Sequence, residues 1–339
     1  MDLAGGLPLS ASEFFGQPGI GPGAAGLAGV PGRFEALGEK VKEGLGIAAR
    51  EIVRDYWLTA CLFGIVSNSP DGLMRRGRKN DELLARCVFA GGTSLVSAWA
   101  ITERYSEDLD LLVLTADQRP TNSAAKKALS KPTEWIAAAL SISKEEINTK
   151  HMGNVGFRRS HLAIGGEQGF LKIETTVEPS DEALFETRPI NSLMGRFASS
   201  EDLIRYPELG GFEIPCVVPG YTAANKFDAM HRRAEAGKLN ELVLRGRDLY
   251  DLARIAASEH ASGARQLIPL VAERSSTSPG DRADFPRPQG GYCNSEMFQP
   301  GSEPWAALKD GYLAATELIW GETPSFDEAV EQAVSLDSK

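Results

Sequence analysis

Apolar residues recur at helical spacing over residues 34–66, with Ile52, Tyr56 and Ala60 on one line and Val53, Trp57 and Cys61 on the next. That period buries one stripe of a helix, so the aromatics in it read as core rather than as a cofactor box. Asn68-Ser69-Pro70-Asp71-Gly72 breaks the pattern with turn formers. Residues 81–86 then read as a short helix leading into a buried strand at 88–90. The pair Gly91-Gly92, the hydroxyls Thr93 and Ser94 and a helical stretch at 95–100 follow. A second strand carries Asp108 and Asp110. The turn Asp117-Gln118-Arg119-Pro120 separates it from a helix at 132–140 that starts with Pro132 in its first turn.

Residues 158–163 and 170–178, joined by Gly165-Gly166-Glu167-Gln168-Gly169, read as a hairpin. In its second arm Leu171, Ile173, Thr175 and Val177 share one face, and Lys172, Glu174, Thr176 and Glu178 the other. Beyond Gly210-Gly211 the pattern is mainly helical, at 221–236, 239–258, 264–273, 304–320 and 326–334, with a long loop at 275–294. The expectation is an α/β (α+β) core with a mixed sheet over 34–210 and a helical domain over 211–339 that completes the active site. A flexible Gly/Pro/Ala-rich leader, 1–33, precedes them. Inside it Gly21-Pro22-Gly23-Ala24-Ala25-Gly26 matches GxGxxG, but no strand precedes it and Pro22 sits in the loop, so it is rejected as a phosphate loop.

Composition narrows the class. The 339 residues, 42% hydrophobic and 24% charged, suffice for one large or two ordinary globular domains. No apolar run spans a bilayer, and Met1-Asp2-Leu3 lacks a basic n-region, so the expectation is a cytoplasmic protein with no membrane partner. Cys61, Cys87, Cys216 and Cys293 form no CxxC pair, which suits idle thiols better than zinc. A net charge of −10 opposes backbone-wide nucleic-acid binding and leaves room only for local basic patches. Arg75-Arg76-Gly77-Arg78-Lys79, Arg158-Arg159, His231-Arg232-Arg233 and Arg245-Gly246-Arg247 are the candidates.

The candidate chemistry lies at the first strand–helix junction. A strand, a Gly-Gly turn and a helix N-terminus aim backbone N–H groups and the Ser94 hydroxyl at an anion. Asp108 and Asp110, two apart on a strand, project from one face, and a hard divalent ion relieves their repulsion. A phosphate cradle beside a paired-Asp metal platform is equipment for moving a nucleotidyl group. Glu174 reads equally as a third carboxylate ligand and as an ordinary outward-facing residue of an amphipathic strand. In the helical half, Lys226 suits phosphate neutralisation. Helical spacing puts Asp248 and Asp251 on one face; Asp248 reads as a base or positioning group, and Asp251 as half of an Arg–Asp pair that fixes helix packing.

These segments resemble the AbiEii/MenT family of nucleotidyltransferase toxins of type IV toxin–antitoxin and phage-defence systems. The resemblance runs through Arg54-Asp55-Tyr56-Trp57-Leu58-Thr59, then Gly91-Gly92-Thr93-Ser94-Leu95 with Arg104-x-Ser106-x-Asp108-x-Asp110. It continues in Lys226 with Arg245 and Arg247-Asp248-Leu249-Tyr250-Asp251-Leu252, and in the ending from Trp305 through Trp320-Gly321-Glu322-Thr323-Pro324-Ser325-Phe326. It implies a DNA polymerase β-like nucleotidyltransferase core. It further implies catalysis by Asp108, Asp110, Lys226 and Asp248. Gly91, Gly92, Thr93, Ser94, Arg104 and Lys226 would bind the nucleotide, and Mg²⁺, two ions, would sit on Asp108 and Asp110, with Glu174 the candidate third ligand that its strand position offers. The implied substrates are an NTP and the 3′ end of tRNA, whose modification stops translation; the implied partner is a cognate antitoxin. Alternatives are transfer to a small-molecule or protein hydroxyl, and a nucleotide-binding toxin without turnover.

Overall fold

The computed structural model describes residues 26–337 except 78–79, 107, 118–119, 143–146, 151–155, 164–169, 180 and 277–283. Pro31–Leu45 forms α1 and Ala49–Asn68 forms α2. The helical pattern over 34–66 is thus two helices, because Gly46 closes α1 in a left-handed conformation, φ 67°, that glycine adopts without a steric penalty. In α2 Ile52, Tyr56, Trp57, Ala60 and Cys61 are buried as the stripe predicts, while Val53 is half-buried. The range expected for the leader, 1–33, overlaps the start of α1 at Pro31. Leu27 is buried and its N–H donates to Glu208 Oε1 at 2.6 Å, an oxygen that also accepts from the Tyr56 hydroxyl at 3.1 Å. Residues 1–25, with most of the GxGxxG match, lie outside the described residues.

Leu73–Gly77 is β1 and Asn80–Ala90 is β2, paired antiparallel. The short helix expected at 81–86 is therefore strand: six residues cannot hold a helix alone, whereas pairing with β1 completes the backbone hydrogen bonds. β2 runs directly into α3, Gly91–Ser97, and Asp108–Thr115 is β3. Asn122–Ala139 is α4, capped by Thr121 Oγ1, which accepts from Ala124 N–H at 3.3 Å. Pro132 thus lies inside that helix and not in its first turn. It is tolerated because Ala125, Ala128, Leu129, Pro132 and Ile136 bury one continuous face, and that burial outweighs the missing donor.

Ile147–Lys150 (β4), Phe157–Ala163 (β5) and Phe170–Pro179 (β6) follow, then Phe185–Asn191 (β7), Leu193–Phe197 (α5), Ser200–Arg205 (α6) and Gly210–Val217 (β8). The fold is mixed α/β: among the described residues one eight-stranded sheet runs β4-β5-β6-β3-β2-β8-β7, with β1 beside β2. β5 and β6 are the expected antiparallel arms, and their turn at 165–169 lies outside the described residues. β3 pairs with β6 in parallel, as β2 does with β8. Pro219–Glu235 (α7), Leu239–Val243 (α8), Gly246–Ala256 (α9), Ala261–Ser276 (α10), Glu303–Ala315 (α11) and Phe326–Ser335 (α12) complete the chain. The expected helix at 239–258 is split before Gly246, where a Cβ would stand 2.0 Å from the Gly311 carbonyl carbon. Two glycines let the start of α9 touch the backbone of α11 there.

The chain separates into two compact units. One takes the described residues up to Phe89 with Ser106–Glu182 and Thr187–Cys216; the other takes Ala90–Tyr105, Ala183–Glu186 and Val217–Lys339. β8, which begins at the expected boundary of 210–211, is a strand of the sheet and falls in the first unit, and the α3 segment falls in the second. No helix among the described residues is long and apolar enough to cross a membrane.

Candidate active site

In the sheet unit, β3 presents Asp108 and Asp110 half-buried on one face, with Leu109 fully buried behind them. The parallel register sets Asp108 opposite Lys172 and Asp110 opposite Glu174, and β5 adds Arg159 opposite Glu174. The side chains meet accordingly. Lys172 Nζ lies 2.6 Å from Asp108 Oδ2 and 3.1 Å from Glu174 Oε1. Arg159 Nη2 and Nε donate to Glu174 Oε1 at 2.6 and 2.8 Å. Burial opposes the charge on Lys172, but Asp108 and then Glu174 more than offset it, so its pKa is raised. Glu174 therefore belongs with Asp108 on a charged face and is not simply solvated.

No group of three His, Cys, Asp or Glu side chains able to hold a metal is gathered among the described residues, so the expected trio Asp108, Asp110 and Glu174 is not drawn together as a ligand set. The donors nevertheless fit a hard cation. They are carboxylate oxygens on adjacent strands, and Asp108 and Glu174 already share a positive charge between them. Lys172 is the residue that sequence reasoning missed. Alternation had placed it on the face of Glu174, but only strand register sets it against Asp108.

In the helical unit, α3 starts immediately after Ala90 with no intervening turn, Gly91 at φ 73° and no side-chain cap. Ser94 is buried and its Oγ donates to the Gly91 carbonyl at 2.8 Å, so this hydroxyl is used within the turn. Thr93 is buried as well. A Cβ on Gly92 would stand 2.2 Å from Arg104 Nη2. Arg104, expected to meet nucleotide, is 2% exposed; its Nε and Nη2 donate to the two oxygens of Asp251 at 2.6 and 2.5 Å, and its Nη1 donates to the Tyr105 carbonyl at 2.6 Å.

Lys226 joins the same cluster, with Nζ 2.6 Å from Asp248 Oδ1 and 2.7 Å from Asp251 Oδ2, and Arg245 Nη1 lies 3.3 Å from Asp248 Oδ2. Burial pushes the Asp248 carboxyl up, but Lys226 and then Arg245 more than offset this and hold it below the ordinary carboxylate range. Asp248 is thus an ionised carboxylate at neutral pH. Asp251 is half of an Arg–Asp pair as expected, and in addition a second partner of Lys226.

The arginines expected to hold nucleic acid are engaged within the protein. Arg232 pairs with Asp228 at 3.0 Å and Arg233 with Glu241 at 3.4 Å. Arg158 donates to Ser160 and Thr149, both at 3.3 Å. The four cysteines are free thiols, three of them buried.

The sequence pattern of the family described as "Nucleotidyl transferase AbiEii toxin, Type IV TA system" matches residues 72–332. No curated protein matches the chain. Among solved structures, an H. pylori protein described as a candidate nucleotidyltransferase is 13% identical, with a TM-score of 0.41 over 86% of this chain and 94% of that one. JHP933 from Helicobacter pylori is also 13% identical, with a TM-score of 0.31 over 86% and 97% of the two chains. At those scores neither likeness bears on fold or function.

Proposed function

The chain belongs to the AbiEii nucleotidyl transferase toxin family of type IV toxin–antitoxin systems, and from that premise we propose that it transfers a nucleotide from an NTP to an RNA acceptor, the 3′ end of tRNA, and so inhibits translation. The family makes the protein a nucleotidyltransferase and implies a cognate antitoxin. The observation that carries the proposal is the carboxylate face of β3 and β6, where Asp108 and Asp110 share one strand and Glu174 stands on the neighbouring one, at the register position facing Asp110.

In this reading the sheet unit is a DNA polymerase β-like core. Asp108 and Asp110, with Glu174, would hold Mg²⁺, which when bound supplies positive charge to the α-phosphate and lowers the pKa of the attacking hydroxyl. The acceptor oxygen attacks the α-phosphorus, the α–β phosphoanhydride bond breaks, and pyrophosphate leaves. Gly91, Gly92, Thr93 and Ser94 are assigned to the triphosphate through the backbone N–H groups opening α3. Arg104 is assigned a positioning role, because it is buried and its Nε and Nη2 are paired with Asp251. In the helical unit Lys226 is assigned to phosphate charge and Asp248 to orienting or deprotonating the acceptor hydroxyl.

A second reading, transfer to a small-molecule or protein hydroxyl, is favoured by the net charge of −10 and by the internal pairing of Arg159, Arg232, Arg233 and Arg245. Pyrophosphate release from labelled NTP, with and without tRNA, decides between them. Label transferred to tRNA supports the first; tRNA-independent release with no labelled tRNA supports the second. Binding of NTP without release sinks both.

A further inference from the structure

On the reading of Asp108 as a metal ligand, we propose that Lys172 is a built-in counter-ion that occupies the cation position between Asp108 and Glu174 and yields it to the divalent metal, thereby setting how tightly the site binds that metal. The side chain stands where two carboxylates converge, 2.6 Å from one and 3.1 Å from the other. The placement is built into the sheet, since the β3–β6 register sets Lys172 opposite Asp108 and β6 alternation sets Glu174 two residues on, on the same face. The ammonium is at hydrogen-bond distance from both oxygens, and a divalent ion held by these carboxylates would compete with it, because like charges in contact repel strongly in a half-buried site.

Lysine suits such an exchange. Its charge is compact and its stem flexible, so it can withdraw without disturbing the strand. Arg159 keeps Glu174 anchored through two donors on Oε1, so the carboxylate stays in place after Lys172 leaves. A triphosphate gives the displaced ammonium a new anionic partner, so metal and nucleotide assist each other's binding, and linkage requires the assistance to be reciprocal. Without nucleotide Lys172 competes with the metal, which suits an enzyme that holds metal only together with its substrate.

The test is Mn²⁺ binding to the full chain, followed by electron paramagnetic resonance, without nucleotide and with a non-hydrolysable NTP. Lys172→Met is expected to bind Mn²⁺ at least about tenfold more tightly than wild type without nucleotide, and to gain less from added NTP. Lys172→Arg keeps the charge and is expected to stay close to wild type. If Lys172→Met fails to fold, Lys172→Gln gives the same readout. Unchanged or weaker Mn²⁺ binding in the charge-removing variant overturns the proposal. Asp108→Asn in the Lys172→Met background tests the underlying reading separately: if Mn²⁺ affinity does not fall, Asp108 is not a ligand, whatever Lys172 does.

Discussion

Arg104 and Asp251 are joined by two parallel hydrogen bonds, of 2.6 and 2.5 Å, across 147 residues of sequence, and neither side chain is more than 2% exposed. Removing one partner of such a pair leaves a buried charge with nothing to balance it, at about 3–5 kcal/mol. Asp251→Ala is therefore expected to lower stability by that amount, because Lys226 loses a partner as well. Urea denaturation checks it, and a loss below about 1 kcal/mol would show that solvent reaches the guanidinium.

Gly92 is expected to tolerate no side chain. The added methyl of Gly92→Ala would meet the Arg104 guanidinium, which its pairing with Asp251 prevents from moving aside. Overpacking of this kind costs about 1–3 kcal/mol. A thermal melt is the measurement, with Gly211→Ala as a control whose added Cβ meets nothing but still carries the left-handed φ of 79°.

Asp108→Asn and Asp110→Asn are each expected to abolish transfer while leaving the fold intact. The amide keeps the shape and loses the charge, and half-buried surface pairs contribute only about 0–1 kcal/mol. The checks are label transfer from NTP and circular dichroism. A variant with full transfer activity would remove its residue from the metal platform.

Lys226→Ala and Asp248→Ala are expected to part in their kinetics. On the proposed roles, loss of the Lys226 ammonium raises KM for NTP, whereas loss of the Asp248 carboxylate, acting in the transition state, lowers kcat. Both side chains also hold their helices together, so melting temperature is measured beside turnover. A folded Asp248→Ala protein with normal kcat would leave Asp248 with packing alone.

Asp55 makes stability depend on pH. Burial pushes its carboxyl up from 3.8 to about 6, although Leu193 N–H donates to it at 2.5 Å. Between those values the folded protein holds a proton that the unfolded chain has lost. Its contribution is therefore greatest at acid pH, declines as pH rises, and levels off above about 6. Asp55→Asn keeps the acceptor and cannot ionise, so it is expected to match wild type near pH 4 and exceed it at pH 7 by at most about 3 kcal/mol, less as solvent reaches the group. Urea denaturation at the two pH values decides it, and the reverse order would place the charged form in the native state.

What sequence alone determined were features whose cause is local. The period-2 alternation that sets Asp108 with Asp110, and Lys172 with Glu174, follows from the pleat of any strand, and the buried stripe of α2 follows from the helical repeat. Only the tertiary structure decided which faces meet. Residues 81–86 are strand because β1 lies beside them, Pro132 is interior because α4 buries a long face, and Lys172 reaches Asp108 because β3 and β6 pair in one register. The glycine of the strand–helix junction was legible as necessary but not its reason, since Gly92 is small to admit an arginine twelve residues on that is itself held from Asp251. Local periodicity is written in neighbouring residues. Register and ion pairing depend on which distant segments pack together, and a single chain of letters carries that only through the burial the whole fold achieves.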